Sequence, residues 1–240
     1  MAGDPLAGVM TGSGMEEMFP DAGKVSVETD YGVVEAYISK ANGNRFAVLP
    51  RHGKSHSVPP HAINHKANVQ AMVRLGIRDV FATSAVGSIS ERLPVGGLGL
   101  LDQFVDFSTR RLTFFEETPV HVDMTHPYDA GLQKRLEAGA EAVRVALTPG
   151  LVYFCVDGPR YETAAEIRVF AQLGGDVVGM TGAPEAILCR EAGLRYASLV
   201  VATNRGAGMQ ERVSHDEVVA MMERTRPRVR RLVEKVISEW

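Results

Sequence analysis

Apolar, β-rich runs alternate with segments of helical period along most of this chain. Extended runs fall at residues 33–38, 45–50, 79–85, 98–107, 151–156, 177–180 and 199–203, and a turn containing Gly43 joins the first two. Helical periods fall at 62–75, 128–147, 163–173, 184–192 and 216–240. The first helix is entered after Pro59-Pro60 and stopped by Gly76, and Pro227 is expected to disturb the last. This alternation predicts an α/β sandwich with a mostly parallel mixed β-sheet flanked by helices. The chain has 240 residues, 45% hydrophobic, with no linker, repeat or low-complexity tract, so a single domain over 1–240 is expected.

Charge excludes some partners. The formal net charge is -3, from 26 basic and 29 acidic side chains, with no block of one sign. That balance favours neither nucleic acid nor a membrane surface. Arg224, Arg226, Arg228, Arg230 and Arg231 read as the solvated face of the last helix. Cys155 and Cys189 both sit in apolar strings, as reduced core thiols would, which suggests a cytoplasmic protein. No apolar run approaches the roughly 20 residues of a membrane helix, and the first residues lack a signal-peptide pattern. The seven histidines and two cysteines show no tight ligand spacing, so no metal site and no cofactor are expected.

In sheets of this kind ligands gather at the carboxyl ends of strands. Four such segments carry polar groups. Thr11-Gly12-Ser13-Gly14 offers backbone N–H groups and a hydroxyl to an oxyanion, although alone it reads as a plain turn. Arg51-His52-Gly53 offers a guanidinium fork and a second donor to phosphate, or a surface pair in a loop. Ala82 to Ser88 places hydroxyls beside small residues, either as an anion contact or as a tight strand–helix turn. In Gly179-Met180-Thr181-Gly182, Thr181 could donate to an oxyanion near the start of the helix that follows, with Met180 alone more often core packing. Farther apart stand Glu162 and Asn204. A carboxylate accepts from a ring N–H, and an Asn amide both donates and accepts. Together they suit a flat heterocycle with an N–H edge and a carbonyl edge, such as hypoxanthine or guanine. They suit adenine poorly, because its N1 is an acceptor.

The ordered set Gly12-Ser13-Gly14, Pro50-Arg51-His52-Gly53, Ser84-Ala85-Val86-Gly87-Ser88, Asp102-Gln103-Phe104-Val105-Asp106, Gly158 to Thr163 and Val178-Gly179-Met180-Thr181 resembles the trimeric purine nucleoside phosphorylases. Pro59-Pro60-His61, Asn64 and Ala67-Asn68 look closest to their methylthioadenosine branch. The resemblance spans nearly the whole chain. It implies a nucleoside phosphorylase-like domain that assembles as a homotrimer or a dimer of trimers. It implies that Ser13, Arg51, His52, Ser84, Ala85 and Thr181 cradle inorganic phosphate, a co-substrate. Met180 would lie along the ribose and Tyr161 near the purine. Asn204 and Glu162 would hold the base. His215 would stand near the sugar's 5′ substituent, and His121 would reach the 5′ end in a neighbouring subunit. An exposed helix-start residue, with Ser214 as N-cap, is the plainer reading of His215.

One departure decides the expected substrate. The methylthioadenosine enzymes carry Asp where this chain has Asn204, another acid where it has Gly206, and no Glu at 162. Stranding a buried polar group on the wrong ligand edge costs about 1–3 kcal/mol. The pocket therefore points to phosphorolysis of inosine and guanosine in purine salvage. S-methyl-5′-thioinosine or methylthioadenosine is the alternative substrate. A nucleoside-binding protein without turnover, or a nucleoside hydrolase, is a further alternative.

Overall fold

A computed structural model describes residues 7–240. The first six residues of the expected domain, and any leader pattern there, lie outside the described residues. The strands are β1 (Ala7–Thr11), β2 (Gly23–Thr29), β3 (Gly32–Ala41), β4 (Asn44–Pro50), β5 (Asp79–Ser88), β6 (Leu98–Asp106), β7 (Leu147–Cys155), β8 (Val177–Gly179) and β9 (Arg195–Arg205). The helices are α1 (His65–Arg74), α2 (Ala130–Ala142), α3 (Ala164–Gln172), α4 (Gly182–Glu191) and α5 (His215–Ser238).

All strands join one mixed sheet in the order β2-β3-β4-β1-β5-β8-β7-β6-β9, and β5 pairs with β9 as well. That last pairing closes β5, β8, β7, β6 and β9 into a ring, with β2, β3, β4 and β1 as an extension. Pairs β1–β4, β1–β5, β5–β9, β6–β7 and β7–β8 are parallel, and the remaining four are antiparallel.

The central strands are apolar on both faces because both are covered. Met10, Leu49, Val80, Ala82 and Val200 pack with Met72 of α1 and Leu188 of α4. Their alternating neighbours Val9, Val48, Phe81, Leu199 and Val201 pack with Leu136 of α2 and Leu232 of α5. The strand period of two thus sorts one apolar run into two core layers. α3 covers a smaller cluster of Phe154, Ile167, Phe170 and Val178.

Several boundaries differ from expectation. β2 was not expected, because its half-exposed sequence Lys24-Val25-Ser26-Val27-Glu28 belongs to an edge strand. β5 does not turn after Ala85 but runs on to Ser88. The helix expected over 128–147 starts after the N-cap Asp129, whose side chain accepts from the Leu132 N–H, and ends at Ala142. Leu147 instead opens β7. Pro227 does not interrupt α5. Pro227 and Glu223, whose carbonyl loses its i+4 donor, are both exposed, so the missing bond faces solvent.

Candidate active site

A cavity of about 390 Å³ opens where the edge of β5 loses its neighbour. β1 pairs with β5 only as far as Ala82, and β8 takes up that edge only from Gly87. Residues 83–86 therefore have no strand on that side. This is a topological switch point, where open sheets collect ligands. Two groups enter the gap: the Arg51 Nη1 donates to the Thr83 carbonyl at 2.7 Å, and the Gly12 N–H donates to Thr83 Oγ1 at 3.4 Å. The Thr83 carbonyl thus faces the gap, and by the strand's two-residue repeat the Ala85 N–H lies on the same open edge. Ser84 lines the cavity, and its buried Oγ has no hydrogen-bond partner. Gly12 is required here by close approach, since a Cβ would stand 2.5 Å from Arg51 Nη1 and 2.7 Å from the Thr83 oxygen. The loop after β1 is tied to α5 by Arg226, which donates to the Gly14 carbonyl at 2.9 Å.

Arg51 corrects one expectation. The residue lines the cavity, but its fork is largely taken up by protein acceptors. Nε and Nη2 each donate to Glu185 of α4 at 2.9 Å, and Nη2 also donates to the Met10 carbonyl at 3.3 Å. With Nη1 on Thr83, one Nη1 hydrogen remains without an acceptor among the described residues. Burial opposes ionisation of both partners, and pairing overrides it: the Glu185 carboxyl lies below its ordinary value and Arg51 above. His52 corrects a second expectation. Its Nδ1 lies 2.8 Å from the Val58 carbonyl, which can only accept, so Nδ1 carries the proton. Burial, helped by the Arg51 charge, lowers its pKa to about 4. The neutral ring therefore offers Nε2 as an acceptor, not as a second donor.

At the start of α4 the backbone donors are already occupied. The Thr181 and Gly182 N–H groups both donate to Tyr153 Oη at 3.2 Å, so these donors do not face an anion. Burial pushes the Tyr153 phenol well up, keeping it neutral. Thr181 is the N-cap, yet its hydroxyl makes no capping bond, and the residue lines the cavity.

The base end is built by a bulge. β5 and β9 are in register through Val86–Ala202, and the next pair is Gly87–Asn204. Thr203 is the extra residue. A bulge re-aims neighbouring side chains, and both Thr203 and Asn204 line the cavity. Asn204 Oδ1 accepts from Thr203 Oγ1 at 2.8 Å, and Nδ2 donates to the Arg205 carbonyl at 2.8 Å. These bonds fix the amide's direction. They leave one hydrogen on Nδ2 and one lone pair on Oδ1. Glu162 lines the same cavity, and burial raises its pKa. Tyr161 and Met180 line it too.

Every expected site residue but one meets here: Ser13, Arg51, His52, Ser84, Ala85, Tyr161, Glu162, Met180, Thr181, Asn204 and His215 all line one cavity. His121 is exposed and outside it. Sequence reasoning missed Glu185 and His56. Glu185 carried a signal, being a lone charge in the apolar string Pro184 to Cys189. His56 carried none, since only folding brings it between His52 and His215. Among the described residues, no cluster of three or more His, Cys, Asp or Glu side chains could hold a metal ion. No helix there is long and apolar enough to cross a membrane.

The fold and this cavity define an enzyme of nucleoside phosphorylase type. Residues 7–238 match the family described as the Phosphorylase superfamily, and the chain belongs to it. It is 43% identical over 232 residues to a 6-oxopurine nucleoside phosphorylase of Pyrococcus furiosus, covering 92% of this chain and 87% of that protein. It is 42% identical over 234 residues to a probable S-methyl-5′-thioinosine phosphorylase of Methanopyrus kandleri, covering 96% and 91%. Among solved structures, methylthioadenosine phosphorylase of Schistosoma mansoni in complex with adenine superposes with a TM-score of 0.91 at 28% identity, covering 98% and 91%.

Proposed function

We propose that the protein phosphorolyses 6-oxopurine nucleosides, inosine and guanosine, to free base and ribose 1-phosphate. One observation carries this: Asn204 and Glu162 open into the cavity that contains the unpaired edge of β5. Asn204 Oδ1 accepts from N7–H of the leaving base and Nδ2 donates to O6, while the Glu162 carboxylate accepts from N1–H. Adenine would set its N1 lone pair against that carboxylate. The S. mansoni structure holds adenine, and the pair Glu162 and Asn204 is the reason for assigning this chain a keto base instead.

Hydrogen phosphate is held at the β5 edge. The hydroxyls of Ser13, Ser84 and Thr181, the Ala85 N–H and the remaining Arg51 N–H donate to its oxygens. His52 Nε2 accepts from its P–OH. A phosphate oxygen attacks C1′ as the bond to the purine nitrogen breaks, and the bonding pair passes to the base. The proton that hydrogen phosphate loses equals the one the base gains, so the reaction balances without a cofactor. Charge that develops on the base meets donors already in place, which is how fixed polar groups lower a barrier. Met180 lies along the ribose, Tyr161 beside the purine and His215 toward the 5′ substituent.

The whole span 1–240 is assigned one domain, supported by its single sheet. A homotrimer, or a dimer of trimers, is proposed from the family resemblance, in which the exposed His121 would serve a neighbouring subunit. A cytoplasmic setting is assigned on the two free, buried cysteines. A second reading, S-methyl-5′-thioinosine as substrate, is favoured by the M. kandleri relative and by apolar Val218 in the cavity wall.

The test is a panel of inosine, guanosine, adenosine and both methylthio analogues, with and without phosphate. Inosine and guanosine should be cleaved only with phosphate. Asn204→Asp should move the inosine-to-adenosine ratio of kcat/KM toward adenosine by at least about tenfold, the scale of one re-paired hydrogen bond. Cleavage without phosphate, or an unmoved ratio, would defeat the reading.

A further inference from the structure

Three imidazole rings run in a row at the cavity. The His52 and His56 ring centroids are 4.6 Å apart at 35°, and those of His56 and His215 are 5.4 Å apart at 28°. All three residues line the cavity. Two are anchored by hydrogen bonds: His52 Nδ1 on the Val58 carbonyl at 2.8 Å, and His56 Nδ1 on Glu16 Oε1 at 2.6 Å. Burial opposes ionisation of Glu16, but the His56 hydrogen bond helps hold its carboxyl below the ordinary value. Ionised Glu16 accepts and His56 Nδ1 donates. His56 also adopts φ 53, the left-handed region that a side chain disfavours. Such a conformation persists only where surroundings impose it, and it concentrates at functional sites.

His215 is held differently. It opens α5 and is exposed, and among the described residues no hydrogen bond anchors its ring. Its ring rests on His56. Near-parallel stacking of planar rings fixes orientation at small energetic cost. The direction of the His215 ring therefore depends on a ring that Glu16 holds by a hydrogen bond.

We propose that Glu16 and His56 are positioning residues that set 5′ specificity. By fixing the rung on which His215 stacks, they aim His215 at a 5′-hydroxyl and favour hydroxylated over 5′-deoxy sugars. This rests on the function proposed above. The experiment compares kcat/KM for inosine and 5′-deoxyinosine, with phosphate, in wild type, His56→Ala, His56→Phe and Glu16→Ala. His56→Ala should lower the inosine-to-5′-deoxyinosine ratio about tenfold, the scale of one lost hydrogen bond. His56→Phe keeps a ring beneath His215 without the bond to Glu16, so its ratio should fall between those of His56→Ala and wild type. Glu16→Ala leaves every ring in place but frees His56, and should lower the ratio in the same direction. A ratio unmoved in both alanine variants overturns the inference while leaving the phosphorolysis reading intact. Wild-type protein that cleaves neither nucleoside overturns both. General damage to the fold would lower both rates together and leave the ratio where it was, so the ratio isolates aim from stability.

Discussion

Arg51 and Glu185 meet through two parallel hydrogen bonds of 2.9 Å, with both side chains only 1% exposed. Tyr196 adds a third bond to the same carboxylate, donating to Glu185 Oε1 at 2.7 Å. The cation nearest the open β5 edge is therefore already neutralised from behind. An anion bound there would be held by directed donors more than by net charge. This ties α4 to the loop after β4, and makes Glu185 the residue on which the arrangement depends.

Glu185→Gln should expose that dependence. The Gln amide puts an NH2 group against the guanidinium and leaves a buried cation without its counter-charge. Breaking a buried pair in this way costs about 3–5 kcal/mol. Urea unfolding should show that loss, and Arg51→Lys should fall similarly, because an ammonium cannot reproduce the fork. Unchanged stability in both variants would mean that the pair is not what holds the two elements together.

Ser84→Ala should separate function from stability. The Ser84 Oγ is buried without a partner, so it lends the free protein no hydrogen bond. Removing an unsatisfied hydroxyl is neutral or slightly stabilising. Its partner, on our reading, is the anion. The variant should melt at or above the wild-type temperature, while KM for phosphate rises about tenfold. A lower melting temperature with unchanged phosphate KM would reverse the assignment.

The α/β alternation was legible because each central strand is a short apolar run between helical periods. Gly43 marked the β3–β4 turn just as clearly, and Asn42 and Gly43 there both adopt positive φ. The site's membership was legible through motifs such as Arg51-His52-Gly53. Its polarity was not. Nothing local in Arg51-His52 says that the fork faces Glu185, 134 residues away, or that the Val58 carbonyl fixes the His52 tautomer. Tyr153 reaching back to the start of α4 is likewise a product of strand register. β2 escaped because an edge strand needs only one apolar face. Pro227 misled because its cost depends on which side of α5 meets solvent. Short-range pattern sets the elements, whereas donor and acceptor pairing is decided by what the fold brings together.

His65 gives the protein an acid-sensitive weak point. It opens α1, is 2% exposed, and neither ring nitrogen has a partner. Burial is the main cause of a pKa lowered to about 3; the Glu185 charge pulls the other way, against Arg110, Arg51 and His52. The ordinary imidazole value, which stands for the unfolded chain, is 6.5. Above that pH both states are neutral and the group contributes no pH dependence. As pH falls from 6.5 toward about 3, the unfolded chain takes up a proton that the folded chain refuses, so stability declines through that window. His52, at about 4, adds to the decline over the upper part of the same range. His65→Leu should remove one contribution. Near pH 7.5 the variant should be at least as stable as wild type, since no hydrogen bond is lost. Near pH 5 its relative stability should grow by about 2 kcal/mol. Urea unfolding of both proteins at the two pH values measures the difference, and an advantage equal at both would show that His65 does not titrate as its burial requires.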